Sequence, residues 1–176
     1  MADRGIAFPD DRKIYTTMAG YAGEAPLWPM TTSAFGGIGM LFPMRHLVMK
    51  SWLDRSPDEL FPFFSDASNL SRITPPELAF RILSPTPIPM AAGALIDYRI
   101  GLFGVPMRWR TRIASWDPPR SFSDEQLRGP YRVWHHVHRF DPLPDGGTLM
   151  TDDVAFQLPL EPFSRLVRPL IELQLR

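Results

Sequence analysis

One stretch of the sequence decides the fold, and it runs from residue 131 to residue 158 as YRVWHHVHRFDPLPDGGTLMTDDVAFQL. Each half alternates between apolar and polar residues, which is the period of a β-strand. The Pro, Asp and Gly residues between the halves are typical of a turn. The stretch therefore predicts an antiparallel hairpin with strands at 131–141 and 147–158.

The alternation also predicts which side chains of this hairpin point inward. A slip of one residue would turn a whole strand over, so the more apolar sets of the two strands must share a face. The residues predicted on this inner face are Trp134, His136, His138, Phe140, Asp152, Val154 and Phe156. His135 and Asp153 are predicted to point outward.

Patterns on the N-terminal side of the hairpin extend it into a larger sheet. Residues 45–54 are typical of a strand, and Ser56 followed by Pro57 is typical of a helix start. A second short helix is predicted to begin at Ser68 and to end before Pro75. Turn residues separate the remaining predicted strands, which are 78–84, 94–102, 105–117 and 120–128.

The strand at 105–117 separates apolar from basic residues. Its inner face is predicted to carry Met107, Trp109, Thr111 and Ile113, and its outer face Arg108, Arg110 and Arg112. An arginine row can bind an anion, but the chain has 19 basic and 19 acidic residues, so a solvated sheet face is the favoured interpretation. We expect no nucleic-acid partner, and we expect Asp97 to pair with a neighbouring arginine.

The two ends of the chain differ from its middle. Residues 1–43 show neither the strand nor the helix period, which predicts a poorly ordered extension before a domain at 44–176. The alternative is that Trp28 and Phe35 of this extension dock onto the domain.

Residues 161–176 predict a terminal helix that Pro169 kinks or divides. Its apolar face carries Leu166, Leu170 and Leu173. The predicted order is a strand, two short helices, six strands and this helix. Short turns between consecutive strands favour an α+β fold, with an antiparallel sheet of about seven strands and the terminal helix covering one face.

The composition excludes several functions. The chain has no cysteine, so disulfides, thiolate metal sites and cysteine nucleophiles are excluded, and a cytoplasmic location is expected. No apolar run approaches the roughly 20 residues of a membrane-spanning helix. The sequence lacks the nucleotide-binding, hydrolase and zinc-protease motifs, so we expect no nucleotide.

The inner-face polar residues leave three interpretations open. His136, His138 and Asp152 can satisfy one another as buried polar groups of a core. They can instead orient the polar end of an apolar ligand. Two histidines and a carboxylate can also form a zinc or iron site, or an acid–base pair, but the sequence does not verify the placement of the third ligand, so no metal and no cofactor is predicted.

The layout resembles a known superfamily over residues 44–176. The segments that carry the resemblance are SPDELFPFFSDASNLSRITPP, GALIDYRI, FGVPMRWRTRIASWDPPRSFSDEQLRGPY, WHHVHRF and GGTLMTDDV. They are similar to bacterial helix-grip proteins of the START and polyketide cyclase/dehydrase group (SRPBCC-type). The resemblance implies a curved sheet gripping the terminal helix around an apolar cavity. It transfers no catalytic residue.

The resemblance implies a protein that binds a hydrophobic, lipid- or polyketide-like molecule. The residues expected to line the cavity are Trp109, Trp134, His136, His138, Phe140, Asp152, Val154, Phe156, Leu166, Leu170 and Leu173. One alternative is a cyclase or dehydrase in which His136 or His138 moves a proton with Asp152. Another is a regulatory module that uses the arginine face to bind a partner.

Overall fold

The computed structural model describes residues 15–19 and 44–158, apart from 75 and 103. Within these residues eight antiparallel strands form one sheet in the order β1-β2-β8-β7-β6-β5-β4-β3. The strands are β1 (Tyr15–Ala19), β2 (Arg45–Leu53), β3 (Arg81–Ile82), β4 (Leu95–Leu102), β5 (Val105–Asp117), β6 (Ser121–Arg128), β7 (Val133–Pro142) and β8 (Thr148–Gln157). The predicted α+β class and antiparallel order are confirmed.

Two short helices follow β2, as the sequence predicts. Helix α1 (Pro57–Phe64) begins after Ser56, whose backbone N–H and hydroxyl both donate to the Glu59 carboxylate at 3.1 Å. A 3-10 turn at Ala67–Asn69 leads into α2 (Leu70–Ile73). No helix among the described residues is long and apolar enough to cross a membrane.

The second helical segment begins earlier than the sequence predicts. Asp66 caps the 3-10 turn, because its carboxylate accepts a hydrogen bond of 2.8 Å from the backbone N–H of Ser68. Ser68 therefore lies inside the turn and does not cap it. An aspartate is as good a cap as a serine, so the two candidates cannot be separated by residue type alone.

Two strands differ from the sequence prediction. Instead of a strand over 78–84, the structure has a 3-10 turn at Pro76–Leu78 and only two residues in β3. The proline-rich stretch that follows supplies no N–H group at Pro85, Pro87 or Pro89, so the pairing with β4 stops. The other difference is β1, which was not predicted and pairs with β2.

Helix α1 packs on the sheet face that carries Phe140. Leu60 and Phe61 are 1% and 4% exposed, and they pack with Leu53, Phe122, Phe140 and Met150. The Phe61 ring meets the rings of Trp116, Phe122 and Phe140 edge-on, at 5.2–5.7 Å between centroids. Such edge-to-face contacts stabilise beyond the area they bury. We call this cluster the α1 core.

The opposite, outer face of the sheet carries the predicted charge pair of Asp97 and a second pair that was not predicted. Arg110 donates two hydrogen bonds of 2.7 and 2.8 Å to the Asp97 carboxylate, which confirms the expected partner. The hydrogen bond from Arg110 holds the pKa of Asp97 below its ordinary value. Arg112 pairs in the same way with Glu125 on β6.

Several predicted features lie outside the described residues. They are the terminal helix at 161–176 with Leu166, Leu170 and Leu173, and the docking residues Trp28 and Phe35. The division into an extension at 1–43 and a domain at 44–176 stays a prediction.

Candidate ligand-binding site

Strand β7 lies between two strands that each carry an acidic residue. His138 is opposite Asp152 on β8, and His136 is opposite Asp124 on β6. Residues directly opposite each other in an antiparallel pair point to the same face of the sheet. Asp124, His136, His138 and Asp152 therefore share the inner face, and we call these four residues the polar quartet.

The apolar residues predicted for this face lie on it as well. In the register of β7 and β8, Trp134 is opposite Phe156, and His136 is opposite Val154. Phe140 lies two residues beyond His138 on the same strand. Trp109 lies on the inner face of β5 and is 5% exposed. The alternation thus predicts this shared face correctly, whereas a role in binding stays a prediction for each residue.

A single oxygen of Asp152 contacts both histidines. Its Oδ1 lies 3.1 Å from Nε2 of His136 and 2.7 Å from Nδ1 of His138. Because an ionised carboxylate can only accept, the Nε2–H of His136 donates this hydrogen bond. The His138 contact is an ion pair, since Nδ1 makes no hydrogen bond of acceptable geometry within the described part of the chain.

Asp124 lies on the other side of the same two rings at longer range. Its Oδ2 is 3.5 Å from Nε2 of His138 and 3.8 Å from Nδ1 of His136. The two imidazoles lie against each other, with ring centroids 3.8 Å apart. Each imidazole therefore has one nitrogen towards Asp152 and the other towards Asp124.

The carboxylates favour a positive charge on His138. Burial disfavours that charge, but the contacts with Asp124 and Asp152 outweigh it and raise the pKa of His138 to about 9. Burial likewise opposes the charge on Asp152, yet the contacts with His136 and His138 hold the pKa of Asp152 well below its ordinary value. At neutral pH the ion-paired state of His138 and Asp152 is therefore favoured.

Aromatic rings hold the polar quartet from two sides. The Phe122 ring stacks on the His138 ring with centroids 4.2 Å apart, and Trp134 meets His136 edge-on at 6.3 Å. The side chains of the quartet are only 14–18% exposed. These contacts restrict the rotation of both imidazole rings, so their nitrogens stay directed towards Asp124 and Asp152.

Beyond Trp134 the inner face becomes a continuous set of aromatic rings, which we call the aromatic wall. Its members are Phe80, Tyr98, Trp109, Tyr131, Trp134 and Phe156. Successive centroids are about 5–6 Å apart, as between Tyr98 and Trp109 at 5.7 Å and between Trp109 and Trp134 at 5.3 Å.

The aromatic wall holds a polar group without a partner. The Nε1–H of Trp109 is buried and finds no acceptor among the described residues. The Tyr98 hydroxyl, by contrast, lies 3.2 Å from the Thr111 hydroxyl. Burial raises the pKa of both Tyr98 and Tyr131 far above the ordinary value, so both phenols stay neutral. The wall thus combines a large apolar surface with few polar groups.

Sequence reasoning missed one member of the quartet, Asp124. Aligning residues 121–125 with 135–139 across the turn at Gly129–Pro130 would have placed Asp124 opposite His136. That register depends on the side chain of Gln126, which donates to the Tyr131 carbonyl at 2.6 Å and accepts from its N–H at 3.2 Å. A contact of this kind leaves no periodic signal in the sequence.

Asp153 lies on the outer face, as predicted, but it is not in contact with solvent. It is 2% exposed, and its Oδ1 lies 3.5 Å from Nδ1 of His46 on β2. Strand β8 is flanked by β2 and β7, and its outer residues Thr151, Asp153, Ala155 and Gln157 are all at most 5% exposed. On β8, a side chain that lies on the outer face is therefore still buried.

An antiparallel sheet with two short helices after its second strand is the arrangement of the helix-grip fold in the described residues. A family described as "Polyketide cyclase / dehydrase and lipid transport" matches residues 53–176. The chain belongs to this family, so the resemblance inferred from the sequence is confirmed. No curated protein matches the chain.

Solved structures share the fold at low sequence identity. The protein TTHA0849 from Thermus thermophilus has a TM-score of 0.57 and 16% identity, covering 74% of this chain and 86% of its own. The Zhui aromatase/cyclase from Streptomyces sp. R1128 has a TM-score of 0.55 and 18% identity, covering 69% and 73%. Major latex-like protein 151 from Panax ginseng has a TM-score of 0.51 and 14% identity, covering 72% and 91%. These likenesses show the fold.

Proposed function

We propose that this protein binds a hydrophobic small molecule, lipid-like or polyketide-like, between the inner face of the sheet and the helix predicted at 161–176. The observation that carries this proposal is the aromatic wall, which ends at the polar quartet. Ligand sites for small molecules are mostly apolar and contain a few placed polar groups. The family and its description are consistent with this function.

The arrangement of the wall supports an elongated, mostly apolar ligand with one polar end. Tyr98 and Trp134 are large rings that are only partly buried within an otherwise packed cluster. An apolar ligand would cover the surface that they still expose. The polar end of the ligand would then lie at His136, which adjoins Trp134. Leu166, Leu170 and Leu173 would close the site from the opposite side.

Binding of an apolar fluorescent dye to the full chain tests the proposal. Trp134→Ala removes the ring between wall and quartet, and we expect it to weaken dye binding by about 10-fold or more, as for a central aromatic contact. Trp52→Ala is the matched control, since Trp52 lies next to inward-facing Leu53 on β2 and is 40% exposed. Equal dye affinities of Trp134→Ala and wild type would contradict the proposal.

The natural ligand is best sought in protein purified from its own source. Native mass spectrometry of that protein should show an added mass that organic extraction removes. A lipid- or polyketide-like composition of the extract would define the ligand class. A strongly polar or nucleotide-like composition of the extract would refute the proposal of a hydrophobic ligand.

A second candidate function is a cyclase or dehydrase, favoured by the 2.7 Å contact between His138 and Asp152. With its pKa raised to about 9, the His138 imidazolium is protonated at neutral pH and can protonate a β-hydroxyl that leaves as water. The neighbouring His136 imidazole would take the α-proton of the substrate, so that the C–O and C–H bonds break and a C=C bond forms. In this case His138→Gln abolishes turnover of a polyketide-like β-hydroxyketone and leaves dye binding unchanged. An unchanged rate in that variant would exclude this role.

A further inference from the structure

Three side chains of the polar quartet have the spacing of metal ligands. The Oδ2 of Asp124 lies 3.5 Å from Nε2 of His138 and 3.8 Å from Nδ1 of His136, and the three candidate ligand atoms lie within 4.8 Å of one another. These separations exceed the usual 2.7–3.2 Å of an N–H···O hydrogen bond. Ligands about 2.0–2.2 Å from a tetrahedral zinc ion are themselves roughly 3.3–3.6 Å apart. A small inward movement would bring all three atoms to coordination distance.

The fourth member of the quartet contacts the opposite side of both rings. Asp152 Oδ1 is 3.1 Å from Nε2 of His136 and 2.7 Å from Nδ1 of His138, the nitrogens that face away from Asp124. Metal-binding histidines commonly donate their second N–H to a carboxylate, which fixes the tautomer and orients the ring. The Nε2–H of His136 makes such a hydrogen bond, and Nδ1 of His138 lies against the same oxygen as an ion pair. A metal ion would replace the proton on the nitrogen of His138 that faces Asp124.

The charge of the quartet matches a divalent cation. Two carboxylates and two neutral imidazoles carry a charge of minus two in side chains that are only 14–18% exposed. Uncompensated charge is costly in such surroundings. A divalent ion between Asp124 and the two imidazoles would neutralise the group.

We propose that Asp124, His136 and His138 bind a divalent ion of the zinc class, with Asp152 as the residue that positions both imidazoles. Two imidazoles and one carboxylate suit zinc and its neighbours in the first transition row. The ligands come from β6 and β7, and Phe122 stacks on His138, so the site is held by rigid elements. Three protein ligands leave one coordination position for water or for a bound molecule.

This site departs from the sequence prediction that no metal is bound. The sequence offered two histidines and one carboxylate, Asp152, but did not verify the placement of that third ligand. The structure adds Asp124, and the distances assign the ligand role to Asp124 and the positioning role to Asp152. The proposal does not require the apolar ligand, because all its contacts are made within the quartet.

Metal titration of the full chain tests the proposal. The protein is stripped with a chelator, dialysed into metal-free buffer and titrated with Co²⁺, whose visible absorption reports tetrahedral coordination, and then with Zn²⁺ in competition. We expect one equivalent to bind. We expect Asp124→Asn and His138→Gln to weaken binding at least about 100-fold, and Asp152→Asn to weaken it about 10- to 100-fold.

The matched control is His135→Gln, which removes a neighbouring imidazole on the same strand that points to the other face. This variant should bind Co²⁺ like the wild type. Failure of the wild type to bind Co²⁺ or Zn²⁺ at micromolar concentration overturns the proposal. Binding by Asp124→Asn with wild-type affinity and spectrum overturns it as well.

A stability measurement keeps the test decisive if a variant does not fold. An ion that binds only the folded state raises the unfolding midpoint of the wild type as its free concentration rises. We expect this rise with Zn²⁺ and none with Mg²⁺, and no Zn²⁺ effect on the wild type would refute the site. Dye binding by the stripped protein is independent of this outcome, so failure of the metal site is distinguishable from failure of the proposed function.

Discussion

The inner face of the sheet has two ends that are built from similar residues and differ in how they are filled. At the α1 core, Leu60 and Phe61 fill the space over Phe140, and all three are at most 4% exposed. At the aromatic wall, Tyr98 and Trp134 are only partly buried although they pack against buried Trp109. Under the proposed function, the α1 core is a closed end that stabilises the fold, and the aromatic wall is a receptive end that presents aromatic surface to a ligand.

The polar quartet lies at the border between the two ends. His138 stacks on Phe122 of the α1 core, and His136 touches Trp134 of the aromatic wall. Polar residues at such a border need fixed partners, which Asp124 and Asp152 provide. Under the proposed function, stability and binding depend on different residues of one sheet face, and mutations at the two ends should separate them.

The largest effect is expected at the closed end. Phe61→Ala removes a ring that contacts three other rings in the α1 core, and a buried Phe→Ala change costs about 3–5 kcal/mol of unfolding free energy. Urea denaturation measures this loss. Phe63→Ala, on the same helix but only half-buried, should cost clearly less. Equal losses would mean that α1 does not close this end.

A smaller effect is expected at the border. Asp152→Asn in metal-free buffer breaks the ion pair with His138, and disrupting a mostly buried pair costs about 3 kcal/mol. The control is Asp97→Asn on the outer face, where the pair with Arg110 is exposed. That control should leave the urea midpoint unchanged within error, because exposed pairs contribute little.

The receptive end should separate binding from stability. Trp134→Ala truncates a half-buried ring, so we expect a loss of about 1–2 kcal/mol of unfolding free energy, less than for Phe61→Ala. Dye affinity should change in the reverse order and fall most in the Trp134 variant. If Phe61→Ala weakened the dye more at a temperature where it is folded, the assignment of the two ends would be reversed.

The smallest loss of unfolding free energy is expected at the start of α1, the helix that supplies Leu60 and Phe61 to the closed end. Ser56→Ala removes the serine at the helix N-terminus and should cost about 1 kcal/mol. Ser68→Ala should leave the urea midpoint unchanged, because Asp66 caps that segment. If the Ser68 variant lost more unfolding free energy than the Ser56 variant, Ser68 would be the start of the second helix, as the sequence predicts.

The sequence predicted most of the strands, and the inner face of the β7–β8 hairpin, because their signals are local. Alternation and turn residues define the β7–β8 hairpin within one stretch, and the register of Trp134 with Phe156 follows from them. Alternation also predicted that Asp97 pairs with an arginine of a neighbouring strand, and the structure identifies that arginine as Arg110 on β5.

The features that could not be predicted from the sequence depend on contacts between residues that are distant along the chain or on different strands. Asp124 joins the quartet through a turn that Gln126 closes with its side chain. The burial of Asp153 depends on its surroundings and not on its own strand pattern. Five residues at Tyr15–Ala19 are too few to predict a strand whose partner begins 26 positions later, at Arg45.

The pairing of β1 with β2 has a consequence for self-association. Strand β1 covers the backbone of β2 from Val48 to Trp52, which would otherwise present unpaired N–H and C=O groups along the nine-residue border strand of the domain predicted at 44–176. An open border of this kind is a template for pairing with a second chain. At the far side of the sheet, β3 is only two residues long and offers no such template. Residues 15–19 therefore replace a nine-residue border strand with a five-residue one, and a shorter edge strand is a poorer template for a neighbouring molecule.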